Sequence, residues 1–375
     1  MMDFEEFKNR VADVIIDYLP SEYANASVRL HEVTKNNDQH LTGLSVCTEE
    51  SSIAPNIYLD QYFAQYEQGR DIENILQEIA DVRESMEIAG EVDMSFLADL
   101  DKVRDRIFCK LVNAETNGEY LSNKPHVQME DLAVVYAVHI ADTTLGRGSV
   151  TITEDMMKSY GLTAGELHEI AVHNLSESAI EFKNLRDVIM EEMFPDGIPA
   201  DDPMAAILLP NDEPMPMYVL SNAERLNGAA AVLDSGTMES IAEKLGGDYV
   251  VIPSSIHEVI IMPLTGDTDR NEIEQIIRNV NAGQVAPEDR LSDHAYQYDS
   301  KSHELMRMDK MEERQAQRSA ERKGAAHDAE TERKPESKRV SVKARLAEKK
   351  AEAAEKEAGR EKPALKQERN AAQRE

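Results

Sequence analysis

Between Met217 and Leu264 the chain reads MYVLSNAERLNGAAAVLDSGTMESIAEKLGGDYVVIPSSIHEVIIMPL, four apolar runs and one helical run packed into a single stretch. No other stretch of similar length carries so many order signals, so the rest of the fold must accommodate this one. Tyr249–Ile252 and Val259–Met262 read as two strands joined by the turn Pro253-Ser254-Ser255-Ile256-His257-Glu258. Met217–Leu220 and Gly228–Leu233 read as two more, separated by Ser221–Asn227, which is turn-like at both ends. From Ser235 the period changes: Met238, Ile241, Ala242 and Leu245 recur at helical spacing, and Gly246-Gly247 closes the segment. The expectation is a β-β-α-β-β unit with its helix buried on one sheet face, within an α+β chain of mixed helices and an antiparallel or mixed sheet.

Toward the N-terminus, Phe4, Phe7, Val11, Val14, Ile15 and Tyr18 make an amphipathic helix that Pro20 ends. Ser27–Val33 and Leu41–Cys47 alternate as a β-hairpin. Pro55 opens a helix with Ile57, Leu59, Tyr62, Phe63 and Tyr66 on its apolar side, and Ile72 to Met86 gives another. The rings of Tyr58, Tyr62 and Tyr66 read as core rather than as a partner face. Helical character at Phe96–Arg106 leads to a strand at Ile107–Val112, an apolar run at Leu132–Ile140 and a strand at Ser149–Thr153. Helices follow at Asp155–Tyr160, at Thr163–Leu175 with a Thr163/Glu166 capping box, and at Ala179–Met193. A further helix over Asp269–Val280 turns Ile273, Ile276, Ile277 and Val280 inward, and His294–Tyr298 is the last order signal.

Six prolines crowd 195–216, which divides the chain into an N-terminal portion (1–194), a linker with one short apolar run at Ala205–Leu209, and a C-terminal unit (217–300). From Lys301 the composition becomes Lys, Arg, Glu, Ala and Gln, a disordered or partly helical tail without an apolar seam for a coiled coil.

The runs VLSNAERLNGAAAVLD and DYVVIPSSIHEVIIMPL resemble an uncharacterised domain-of-unknown-function family of Firmicute bacteria. Ile252 stands where that pattern has Leu, a neutral exchange in a strand. The resemblance runs from Phe4 to about Val280 and is most specific at Val251–Pro263. It implies a fold and a bacterial, cytoplasmic setting, and no activity.

Charge narrows the partners. The net charge is −31, and the tail from Lys301 holds 21 basic against 16 acidic residues, leaving 20 against 56 in the first 300. Such a body repels phosphate backbones and attracts basic proteins or peptides, so direct nucleic-acid binding by it is disfavoured. Two cysteines, Cys47 and Cys109, support neither a disulfide framework nor a four-ligand zinc site. Acidic residues where a signal peptide would be basic, and no apolar run of membrane-spanning length, point to the cytoplasm without a membrane segment.

The candidates for chemistry are few. Glu166-Leu167-His168-Glu169-Ile170-Ala171-Val172-His173 resembles a zincin helix, but its histidines are five residues apart. That spacing separates the rings by about 140° around the axis, too far to share one metal. Gly146-Arg147-Gly148 lacks the Lys-Ser/Thr of a phosphate loop, and the acidic pairs near Asp201 and Asp212 match no calcium loop. No cofactor or metal site is expected. Ser254, Ser255, His257 and Glu258 combine hydroxyls, an imidazole and a carboxylate, yet neighbours on extended backbone point apart, which favours a turn whose hydroxyls satisfy backbone amides. The leading expectation is therefore a non-enzymatic interaction or regulatory module. A hydrolase using His257 and Glu258 with His168 or His173 is the alternative, and it requires the 168–173 helix to meet the 254–258 turn. An acidic nucleic-acid mimic is a third.

Overall fold

In the computed structural model, residues 2–48, 55–86, 94–143, 146–194 and 216–318 are described. They confirm an α+β chain with three antiparallel sheets. Residues up to Glu313 form one compact unit, described below.

The first helix, α1 (Phe4–Val14), starts at an Asp3/Glu6 capping box and buries Phe7 and Val11. Strands β1 (Ser27–Thr34) and β2 (His40–Cys47) pair in the expected hairpin, with Ser27 opposite Cys47. Behind Pro55 the chain first adds a third strand, β3 (Asn56–Tyr58), and only then forms α2 (Asp60–Glu67), which corrects the expectation of a helix from Pro55. Ile57 faces the core as a strand residue, because Leu44 and Ile57 are cross-strand partners. With α3 (Ile72–Ser85) these elements enclose a first core of Phe7, Ile15, Leu44, Leu59, Ile75 and Ile79. Of the tyrosine stripe, Tyr62 is buried in this core and Tyr66 packs half-buried against it, whereas Tyr58 is a half-buried residue of β3 and not of the helix.

Phe96–Arg106 is helical only in pieces, with α4 (Leu100–Val103) between two 3-10 turns. The second sheet contains β4 (Ile107–Asn113), then, after α5 (Gly118–Leu121), β5 (His126–Met129), β6 (Leu132–Thr143) and β7 (Gly146–Thr151). Strand β6 is central, flanked by β4 on one side and by β5 and β7 on the other. Next come α6 (Glu154–Ser159) and α7 (Ala164–Ser176), the latter starting at the expected Thr163/Glu166 capping box.

Ala179–Met193, expected as one helix, is a strand and a helix: β8 (Ile180–Asn184) and α8 (Leu185–Met193). Ile180 and Phe182 alternate with Glu181 and Lys183 at the strand period, and Asn184 caps α8 by accepting from the Arg186 amide at 2.9 Å. Strand β8 pairs with β9 (Tyr218–Asn222), so one sheet takes strands from both sides of the division expected at 195–216, and that division does not separate two compact units. Residues 195–215 of the expected linker, with its Ala205–Leu209 run, lie outside the described residues.

Gly228–Leu233 is not a strand. Asn227 adopts a left-handed φ of 57° and the Gly-Ala-Ala-Ala run winds into a buried 3-10 segment. Alanine and glycine are poor strand formers, and their missing side-chain bulk lets this backbone press into the core. Helix α9 (Ser235–Leu245) ends at Gly246 in the left-handed region, φ 83°, as a glycine C-cap does. Strands β10 (Tyr249–Pro253) and β11 (Val259–Pro263) are antiparallel neighbours, with Val251 opposite Ile261. Helix α10 (Arg270–Gly283) follows, then β12 (Tyr296–Asp299) and β13 (Glu304–Arg307), giving the order β13-β12-β10-β11-β9-β8. Order thus runs past the expected start of the tail at Lys301: β13 pairs with β12, and Met308 and Met311 are buried. Residues 319–375, where the disordered tail was expected, lie outside the described residues.

One face of β10–β11 presents Tyr249, Val251 and Ile261 to a large core shared with β4, β6, α7 and α9. The Tyr249 hydroxyl donates to the Met238 carbonyl at 2.9 Å, seating α9 on that face. The other face presents Val250 and Met262 to Ile273 and Ile277 of α10. Burial on both faces is why these runs lack alternation. Among the described residues no helix is long and apolar enough to cross a membrane.

A Cβ on Gly228 would lie 2.1 Å from Ser221 Oγ and 2.6 Å from both the Asn222 nitrogen and the His257 carbonyl oxygen. Two of those atoms are backbone and cannot swing aside. Gly228→Ala should lower unfolding free energy by about 3 kcal/mol, the upper part of the overpacking range, read as a fall in urea midpoint at constant slope. An unchanged midpoint would contradict the packing described.

Candidate functional site

The turn 254–258 lies where three loops meet. Ser255 Oγ accepts from the His257 amide at 3.0 Å, and the Ser255 amide donates to the Glu258 carbonyl at 3.2 Å, which is the hydroxyl-closed turn anticipated from sequence. The Ser221 hydroxyl donates to the His257 carbonyl at 2.8 Å, and the Ala229 amide to the Ile256 carbonyl at 3.3 Å. On the far side the Ile256 amide donates to the Asp289 carbonyl at 2.8 Å. The two runs that carry the family resemblance are therefore bonded to each other.

His257 is held at both ring nitrogens. Nδ1 accepts from the Asn227 amide at 3.1 Å, and Nε2 lies 3.3 Å from Asp289 Oδ1. The ring therefore bridges the Asn227 and Asp289 turns, one through each nitrogen. Burial raises the Glu258 carboxyl above its usual range, opposed by Arg225 and by a hydrogen bond from Ser254. Arg225 itself is paired with Glu192. His168 shares a 3.0 Å hydrogen bond between Nδ1 and the Tyr136 hydroxyl, while His173 is exposed near the end of α7. Among the described residues no hydrogen bond joins either histidine to the 254–258 turn. Sequence reasoning missed Asn227 and Asp289 as partners of His257; both come from turns whose position only the fold supplies.

A second feature lies on α10. Ile276, expected to face inward on α10, is 55% exposed, while Ile273 and Ile277 on either side of it are buried. With Ile252, Ile260, Met262 and Met217 it lines an apolar groove of about 470 Å³ between α10 and the β10–β11 face. Ser254 reaches its end, and its rim carries Asp267, Asp269 and Glu272. Among the described residues no basic side chain lines it. The Asp269 carboxylate also caps α10, accepting from the Asn271 amide at 2.8 Å. The sequence signal was an extra isoleucine: three within five positions give a stripe wider than one sheet face can cover.

A polar cavity of about 420 Å³ lies at the junction of the three sheets, between Asn37, Asn113, Asn281 and Arg290. The buried Asp131 accepts from the Ser292 and Tyr296 hydroxyls, each at 2.7 Å. Burial first, and then the Asp131 charge, holds the Tyr296 phenol well above its usual value. Asn37 Nδ2 donates to the carbonyls of Pro287 at 2.7 Å and Arg290 at 2.8 Å. Most of these groups are committed to one another, so the cavity is a cross-linked joint. Cys109 is buried and its thiol is pushed up to about 12, the state of an inert structural cysteine.

Burial depresses the His168 pKa, opposed by Glu169. Its contribution to stability is therefore present above the unfolded value of about 6.5 and lost as pH falls through the lower folded value. His168→Gln should lessen the drop in Tm between about pH 7.5 and pH 5.5; parallel drops in both proteins would show that His168 is not held neutral.

No curated protein and no solved structure matches the chain. A family model does, across residues 4–300, and it spans the hydrogen-bonded turns, the groove and the polar joint alike. By that match the chain belongs to the family of unknown function DUF5688.

Proposed function

We propose that this protein is a non-enzymatic interaction module that holds a basic, amphipathic protein segment in the groove between α10 and the β10–β11 face. The observation that carries the reading is Ile276, an aliphatic side chain 55% exposed at the mouth of an apolar groove whose charged lining groups, among the described residues, are all carboxylates. An amphipathic helix lays its apolar face into such a groove, and Lys or Arg on its flanks meets Asp267, Asp269 and Glu272. The field of the first 300 residues, 20 basic against 56 acidic, draws the same partner from a distance. Covering Ile276 contributes on the order of 1–2 kcal/mol, and the rim charges contribute mainly to on-rate and selectivity. A cytoplasmic setting goes with this reading, supported by the unpaired thiols of Cys47 and Cys109.

The test is calorimetric titration of the full chain with a synthetic Lys/Leu amphipathic peptide and with a peptide of equal charge and scrambled apolar pattern. The amphipathic peptide should bind more tightly than the scrambled one, lose affinity as salt rises, and bind Ile276→Asp about tenfold more weakly. Equal binding of the two peptides, or no effect of Ile276→Asp, would overturn the proposal.

A further inference from the structure

Cations are scarce in the first 300 residues, 20 against 56 carboxylates, so a place that gathers several of them is an exception. The polar cavity of about 420 Å³ is such a place: Arg278, Arg290 and His294 all line it. Two of these share one anchor. Glu274, a residue of α10 only 5% exposed, lies 3.6 Å from the Arg278 guanidinium and 3.5 Å from the His294 imidazole. Glu274 does not itself line the cavity, so it holds both groups in the wall from behind. Arg290 is fixed by other bonds: its Nε donates to the Val285 carbonyl at 3.2 Å, and its own carbonyl accepts from Asn37 at 2.8 Å. Among the described residues its two terminal amino groups have no partner, which leaves a planar fork of the kind that grips a carboxylate.

The same wall carries the opposite charge in Glu115, Asp131 and Asp293. Asp131 is already spent on the Ser292 and Tyr296 hydroxyls. Asp293 is oriented by the buried Asn281, whose amide donates to one carboxylate oxygen at 2.7 Å. Its second oxygen and the Glu115 carboxylate have no partner among the described residues. Glu274, Arg278 and Asn281 follow one another at i, i+4 and i+7 on α10, so a single helix face supports both the cationic and the anionic part of the wall. A ligand of one sign would leave half of these groups unmatched, and an anion would also be repelled by the field of the body. A zwitterion matches both and brings no net charge. The volume falls within the usual range of small-molecule sites, roughly 300–1,000 Å³. We infer that this cavity binds a free α-amino acid, its carboxylate on the Arg290 fork and Arg278, its ammonium on Asp293 and Glu115. Arg290 and Asp293 do not line the α10 groove, so either site can fail without the other.

The experiment uses the full chain with L-serine, L-glutamate, L-lysine and L-leucine, one from each side-chain class, read by thermal shift and by equilibrium dialysis. At least one should raise Tm by binding the folded state. Its N-acetyl derivative and its carboxamide, each lacking one of the two backbone charges, should not. Arg290→Gln and Asp293→Asn should each weaken the affinity about tenfold, the loss of one charge-assisted contact. Asp293→Asn keeps an oxygen for Asn281, so it removes the charge without unseating the wall, and it decides the matter alone if Arg290→Gln does not fold. Absence of binding by all four amino acids, equal binding of either derivative, or an affinity that Asp293→Asn leaves unaltered would defeat the assignment.

Discussion

The contact on which the rest depends is the approach of Gly228 to the backbone of Asn222 and of His257, a space that excludes even a methyl group. It brings the end of β9, the start of the buried 3-10 segment and the turn between β10 and β11 to one point. Asn227, with φ at 57°, sends the chain into that contact, and its amide then finds the imidazole of His257. Ser221 seals the same point through its hydroxyl. Each bond is modest, about 1 kcal/mol net, but an unpaired buried carbonyl or amide costs more than its partner gains, so the set is all or none.

Around this point the molecule balances apolar layers against a polar joint. Strands β10 and β11 are covered on both faces, by α9 and the shared core on one and by α10 on the other. The three sheets meet through Asn37, Asn113, Asn117, Asp131 and Asn281, whose side chains bond the backbone or side chains of other elements. Such groups specify one arrangement, because any other leaves them unpaired in a low dielectric. The same economy explains His257, whose imidazole, engaged at both nitrogens, ties the Asn227 and Asp289 turns together. Apart from it, an apolar groove lined at its edge by Asp267, Asp269 and Glu272 runs along α10.

What the sequence revealed follows from how local each signal is. The hairpin β1–β2, the capping box at Thr163 and the glycine stop at Gly246 are decided by neighbouring residues, and all three formed as read. The ladders of β10 and β11 were legible because β-branched runs that short have few alternatives. Gly228–Leu233 forms no strand because apolar content alone cannot separate a strand from a tight helical segment; the decision comes from space in the core, where Gly228 has no room for a Cβ. Ile180 and Phe182 were absorbed into the following helix because a two-residue alternation is weak beside the longer helical pattern of α8. Ile276 was placed inward because its neighbours are, and which isoleucine lacks a partner depends on the width of the sheet beneath.

If the junction at Gly228 organises the fold, its hydrogen bonds must be as protected as the sheet they fix. Amide exchange in the native full chain tests this at Ala229 and Ile256, whose N–H groups donate to the Ile256 and Asp289 carbonyls, against Val250 and Ile261 within β10 and β11. The account predicts that all four exchange slowly and with similar free energies, as members of one cooperative unit. Rapid, loop-like exchange at Ala229 and Ile256 beside protected strands would show that the turns are tethered loosely, and that the sheet holds without them.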